Sequence, residues 1–288
     1  MKLAAPAKIN LTLEVLKRRD DGYHEIRSIL QTIDLCDELE LEKSKELEFF
    51  CNSLELNNED NLAIKASRLL RRKAGVTQGA RISLRKRIPV AAGLGGGSSD
   101  AASVLKGLNI LWGLKLSEAE LMEISAGLGS DVPFFIQGGA ALARGRGEII
   151  EPLPSPGDYW FVLLMPPVDE YADKTSRMYR NLREADYTDG SITRSLAGII
   201  KSGDEIGQSL LYNVFDKVAP GIYPQLPFFQ EVLADASGTA RAHLSGSGPC
   251  IYVMLKDEAG AKRVRHTLIE KKHTVYLAKI LAKTAPAL

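Results

Sequence analysis

Positions 93–100 read GLGGGSSD, and the helix-like stretch AASVLKGLNILW follows at once. Glycine loses the most backbone entropy on ordering and has no side chain to pack, so this octet ahead of a good amphipathic helix must gain something in return. Unpaired amides at a helix N-terminus, backed by the positive end of the helix dipole, attract phosphate. Glycines let the backbone approach the anion closely and reach the φ > 0 conformations of an amide nest. The hydroxyls of Ser98 and Ser99 are available to phosphate oxygens or to a magnesium ion. The octet therefore reads as a phosphate cradle. A Walker A loop is disfavoured because no lysine follows the glycines, and a dinucleotide fingerprint because Ser98 stands at its third glycine. The plainer alternative is a flexible connection, against which the strand before and the helix after both argue.

Upstream, ARISLRKRI (80–88) alternates as a half-buried strand does. Leu62, Ala63, Ala66, Leu69 and Leu70 recur at helical spacing, with Asn61 or Asp60 as cap. Residues 3–16 predict a strand, DDGYHE (20–25) a turn, and 26–33, 37–42 and 46–50 further strands. Downstream, Ser117 with Glu120 makes a capping box for a helix ending near 127–129. EPLPSPGD (151–158) marks a domain boundary. Beyond it, YWFVLLM predicts a buried strand, and helices are expected near 173–184, 204–216 and 223–235. The chain closes with strands at RAHLS, CIYVML and HTVYLAKIL around a helix at 257–270. That alternation gives a second α+β layer.

The 288 residues suffice for two domains, and 45% hydrophobic with 25% charged residues is an ordinary globular balance. Lys plus Arg total 37 against 36 Asp plus Glu, so a general nucleic-acid binder is not indicated. A local basic stretch (Arg68, Arg71, Arg72, Lys73, Arg81, Arg85, Lys86, Arg87) reads as a solvated face with a modest pull on an anionic substrate. Cys36, Cys51 and Cys250 form no C-x-x-C, which argues against a disulfide framework or zinc site and for a reducing, cytoplasmic setting. Lys8 and Asn10 interrupt the opening apolar stretch, so no secretory leader is expected, and no run is long enough for a membrane span.

The pattern P-x-x-x-G-L-G-G-G-S-S-D, Pro89 to Asp100, resembles the nucleotide-binding motif of the GHMP kinases, the family of galactokinase, homoserine kinase, mevalonate kinase and phosphomevalonate kinase. PAKINLTLEV (6–15), DGYHEIRS (21–28), GSDVPFFIQGGAALARGRGE (129–148) and LSGSGPCIY (244–252) fall in order over nearly the whole chain. Together they are similar to the branch whose acceptor carries cytidine diphosphate. The resemblance implies an α+β fold of two domains, an S5-like β/α domain over 1–152 and a ferredoxin-like α/β sandwich over 153–288, with the site in the cleft between them. It implies ATP and Mg2+ as cofactors, with Pro89, Val90, Ala91, Ala92, Gly93, Leu94, Gly95, Gly96, Gly97, Ser98, Ser99 and Asp100 binding the nucleotide. It names no side chain as a dedicated metal ligand. The partner it implies is the small acceptor, with no nucleic acid and no membrane, in a monomer or homodimer serving isoprenoid precursor synthesis.

Two residues are expected to carry the chemistry. Ser130 or Asp131 ahead of Pro133 is an ordinary helix start, but Asp131 matches the family's catalytic aspartate, which takes the acceptor hydroxyl proton or orients the acceptor. Lys8 is either a strand-edge lysine reaching for water or, as the resemblance implies, the partner of Asp131, stabilising charge on the reacting oxygen. For the cytidine, the resemblance implies that Tyr23 stacks on the base, His24 bonds its polar edge, Asn10 contributes nearby and Tyr179 supplies the second ring. As a helix-core residue Tyr179 would leave that face to another lid. SGSGP (245–249) is a hairpin turn or, by resemblance, a brace on the phosphate region. Two alternatives keep the glycine loop: a kinase for mevalonate, homoserine or a sugar, and a non-catalytic nucleotide-binding module.

Overall fold

The computed structural model describes residues 1–169 and 173–283. Strands β1 (Lys2–Arg18) and β2 (His24–Ser44) form a long antiparallel hairpin around the turn that holds Tyr23. The segments expected at 26–33 and 37–42 are one strand, because the register slips between Pro6 and Ala7 where a break was expected. Such a bulge bends a strand without ending it.

Strand β3 (Leu47–Cys51), helix α1 (Leu62–Ala74), strand β4 (Gly79–Arg85), helices α2 (Gly96–Leu111), α3 (Glu118–Ser125) and α4 (Val132–Gln137), and strands β5 (Ala140–Gly145) and β6 (Ile149–Leu153) follow. The strands lie in the order β3-β4-β2-β1, with β5 on the first half of β2 and β6 beyond it. Ala63, Ala66 and Leu70 of α1 and Ala101, Leu105 and Leu108 of α2 pack on Leu39, Leu41 and Ile82 of this sheet. Each fully buried leucine or isoleucine contributes about 1.5–3 kcal/mol. At Gly107 a Cβ would stand 2.3 Å from the Leu41 Cδ1 methyl and 2.5 Å from that of Leu3, so glycine leaves room for these two side chains between α2 and the sheet. Asn61, not Asp60, caps α1: its Oδ1 accepts from Ala63 N at 2.9 Å, while Asp60 pairs with Lys65. The capping box of Ser117 and Glu120 is present as expected.

The second layer comprises β7 (Trp160–Met165), α5 (Lys174–Asn181), α6 (Ser191–Ser202), β8 (Tyr212–Asn213), α7 (Leu226–Ser237), β9 (His243–Leu244), β10 (Ile251–Leu255), α8 (Glu258–Glu270) and β11 (Thr274–Lys279). Its sheet runs β11-β7-β10-β9. The helix expected at 204–216 is absent. Gly203 closes α6 in the left-handed conformation, and the chain continues through short 3-10 turns into β8, which pairs in parallel with β1 at Thr12 and Leu13. Ile9 and Leu11 of β1 pack against Phe161, Leu163 and Tyr252 of the second layer. Past β11, Leu281 N donates to the Thr32 carbonyl, and Gln31 and Thr32 side chains both donate to the Leu281 carbonyl. Among the described residues no helix is long and apolar enough to cross a membrane.

Candidate active site

The glycine stretch leaves β4 through Lys86–Leu94 and enters α2, whose first turn is Gly96–Ser99. Ala91, Gly93 and Gly95 all have positive φ, at 51°, 82° and 72°. At Gly93 a Cβ would fall 2.0 Å from the Ser245 carbonyl oxygen, so glycine is required there. The 245–249 loop braces this turn: Ser245 Oγ donates to the Gly93 carbonyl, and Cys250 N to the Ala92 carbonyl. Lys174, in the first turn of α5, donates to the carbonyls of Ala91 and Gly248. The amides of α2's first turn thus open on a cleft of about 1070 Å³.

Not every residue of the motif faces that cleft. The side chain of Leu94 is buried in the core behind the loop, and its carbonyl accepts from Lys8 N at 2.9 Å. Ser99 is fully buried, with its Oγ lacking a partner. Asp100 does reach the cleft wall although it is nearly buried, and it pairs with Lys86 at 2.7 Å; Lys86 also meets Asp37 at 2.5 Å. Lys86 is therefore not part of a solvated basic face: two carboxylates, one fully buried, compensate it. Burial pushes the Asp100 carboxyl up to about 7, with Lys86 opposing and Asp37 adding to the rise. Burial alone would lower the Lys86 ammonium, but the two carboxylates raise it overall.

Lys8, only 4% exposed, lies beside the loop on β1. Its Nζ donates to Asn10 Oδ1 at 2.6 Å. Burial pushes the ammonium below its ordinary range, and the carboxylate of Asp131 acts against that shift. Asp131 occupies the N-terminal flank of α4 but makes no side-chain cap bond, so its carboxylate is not engaged in capping. Lys8 and Asp131 line the same cleft. Asn10 lines it too, with its amide held between Lys8 and Ser28.

The other end of the cleft is aromatic. Tyr23 is 54% exposed on the β1–β2 turn, with the Arg146 guanidinium 4.6 Å from its ring centroid. His24 stacks on Tyr179 at 4.9 Å with 17° between planes, and Tyr187 meets His24 edge-on at 6.0 Å. Burial and the Arg18 cation lower the His24 pKa, which keeps the imidazole neutral near pH 7. Tyr179 is thus covered by His24 on one face and rests its ring against Phe215. Tyr187 also lines the cleft and was not singled out in the sequence, where ADYTDG looks like a turn.

Residues 61–139 match the GHMP kinases N terminal domain and residues 195–273 the GHMP kinases C terminal domain. A 4-diphosphocytidyl-2-C-methyl-D-erythritol kinase of Dehalococcoides mccartyi is 45% identical, with 98% of each chain covered. The crystal structure of a 4-(cytidine 5'-diphospho)-2C-methyl-D-erythritol kinase superposes with a TM-score of 0.82 at 31% identity, covering 97% of this chain and 99% of the other. Homoserine kinase from Cytophaga hutchinsonii shares the fold, with a TM-score of 0.76 at 17% identity over 98% of this chain and 94% of the other. The glycine loop, the lysine and aspartate at one cleft and the extent of these likenesses lead to one conclusion: the chain belongs to the GHMP kinases, in the family of the 4-diphosphocytidyl-2-C-methyl-D-erythritol kinases.

Proposed function

We propose that the protein transfers the γ-phosphoryl group of ATP to the 2-hydroxyl of 4-diphosphocytidyl-2-C-methyl-D-erythritol, giving the 2-phosphate and ADP in the non-mevalonate route to isoprenoid precursors. The observation that carries this reading is the union, in one cleft, of the glycine cradle, Lys8 with Asp131, and a ring-lined end around Tyr23 and His24. A small acyclic acceptor such as mevalonate or homoserine has no use for that ring-lined end.

In this reading residues 1–152 supply the cradle and the reacting pair, and residues 153–288 supply the brace at 245–249 and the rings of Tyr179 and Tyr187. The α2 amides and positive-φ loop fit a polyphosphate, and glycine at 93 and 95 permits that loop, because a Cβ there would strike the Ser245 carbonyl or the Phe135 ring. A magnesium ion carried on the phosphates would neutralise charge in the transfer. Ser98, whose hydroxyl is at the cleft wall in the first turn of α2, would be available to hold it. Asp131 orients the acceptor hydroxyl and receives its proton, and Lys8 offsets charge on the reacting oxygen. The cytosine lies against Tyr23, and neutral His24 bonds its polar edge.

Coupled ADP release with a panel of acceptors tests this. Turnover is expected with the cytidine diphosphate acceptor and not with mevalonate, homoserine or galactose. Asp131→Asn is expected to cut kcat by about 100-fold or more while ATP still binds. No ADP release with the cytidine acceptor, or undiminished turnover in Asp131→Asn, refutes the assignment.

A further inference from the structure

Lys8 Nζ bonds to one particular end of the Asn10 amide, its oxygen, at 2.6 Å. An amide offers an acceptor on one side and two donors on the other, so only one of its two orientations can hold an ammonium. That orientation is dictated by a neighbour. Asn10 Nδ2 lies 2.8 Å from Ser28 Oγ, and Ser28 Oγ lies 2.5 Å from the Thr12 carbonyl oxygen. A carbonyl has no proton to give. The single Ser28 proton therefore goes to Thr12, and Ser28 can meet Asn10 only as an acceptor. Asn10 must turn its NH2 toward Ser28 and its oxygen toward Lys8.

Ser28 is itself well held. It is 1% exposed, and the Thr12 hydroxyl beside it accepts from Ile29 N and from Thr193 Oγ1, each at 3.0 Å. Thr193 N in turn donates to the buried Glu14 carboxylate at 2.7 Å. Thr12 is thus pinned through its hydroxyl by Thr193 at the start of α6, and its carbonyl holds Ser28, which holds the Asn10 amide beside the ammonium. Ser28 does not line the cleft, so any effect it has on the reaction passes through Asn10.

We propose that Ser28 is a positioning residue for phosphoryl transfer, fixing the Asn10 amide so that Lys8 is presented as a charged, oxygen-bound ammonium. The inference rests on the role given to Lys8 above. Without the Ser28 hydroxyl Asn10 Nδ2 is left without its acceptor, and only the ammonium itself still holds the amide with its oxygen inward. The acceptor of Lys8 is then less firmly placed where burial already disfavours the charge. The titratable groups facing it, Asp131 at the start of α4 and the Cys250 thiol next to the 245–249 loop, are untouched by the substitution.

Steady-state kinetics and the pH profile of kcat for Ser28→Ala, Ser28→Thr, Asn10→Asp and Lys8→Ala test the proposal. Ser28→Ala is expected to lose about tenfold in kcat, with the KM for ATP within about twofold, and to move the basic limb of the profile to lower pH. Ser28→Thr, which keeps the hydroxyl, restores both. Asn10→Asp offers an oxygen whatever Ser28 does, so it moves the limb to higher pH, in the wild-type and Ser28→Ala backgrounds alike. That second variant serves if Ser28→Ala alone folds poorly. A wild-type limb in Ser28→Ala, or equal losses in Ser28→Ala and Ser28→Thr, overturns the proposal. Normal turnover in Lys8→Ala would instead overturn the role of Lys8, so the two failures are told apart.

Discussion

Tyr187 and Tyr179 divide the work at the aromatic end differently from what the sequence suggests. Tyr179 already has His24 stacked on one face, whereas Tyr187 touches His24 only edge-on and keeps its ring on the cleft. Stacking on a base is worth about 1–3 kcal/mol. Tyr187→Ala is therefore expected to raise the acceptor KM about tenfold and leave the ATP KM unchanged; equal changes in both, measured by ADP release, would count against a base-stacking role. At this scale Lys8, Asp131, Tyr23 and His24 stood out through their resemblance to family motifs, since an edge lysine, a helix start and two surface rings account for them locally just as well. Tyr187 did not, because a tyrosine in a polar turn gives no local sign of what it faces. Lys86 was misread for the opposite reason: its neighbours Arg85 and Arg87 are exposed, and nothing local shows that Asp37 waits 49 positions away.

The loop from Lys86 to Gly95 and the first turn of α2 act as one element, and its glycines are not equivalent. Gly93 combines a φ of +82° with a Cβ position 2.0 Å from backbone oxygen, while Gly97 is helical and open, with its nearest neighbour at 3.8 Å. Gly93→Ala is expected to lower stability by about 2–4 kcal/mol and to raise the ATP KM, read from urea midpoints and ADP release. Gly97→Ala should stay within about 1 kcal/mol of the parent. Equal losses at both positions would mean that the strained turn is not what Gly93 serves. The capping box revealed α3, and apolar periodicity revealed α1 and α2, whose buried stripes pack toward the first sheet. Periodicity failed at 204–216, where Leu210, Leu211, Val214 and Phe215 are apolar enough for a helix but serve a strand and a 3-10 turn. The partner that decides this is β1, about 200 positions distant.

Across the whole molecule, the buried group of Asp37, Lys86 and Asp100 ties the core of the first sheet to the glycine loop and gives stability a pH dependence. The folded Asp100 carboxyl titrates at about 7, above its ordinary 3.8, so between those values the folded state holds a proton that the unfolded chain has released. Its contribution to stability is complete below the lower value and declines as pH rises toward 7. Asp100→Asn should flatten that decline in urea midpoints between pH 4 and 7; an unchanged slope would place the titration elsewhere. The two layers are also laced together, since β8 completes the first sheet beside β1 and the Leu281 carbonyl is held by Thr32, 249 positions earlier. During synthesis the strand bearing Lys8 leaves the ribosome about 200 residues ahead of its parallel neighbour, and Thr32 still further ahead of Leu281. The nascent polypeptide must therefore carry an unfinished, apolar sheet edge while those residues are made, a window in which chaperone shelter matters more to yield than final stability does.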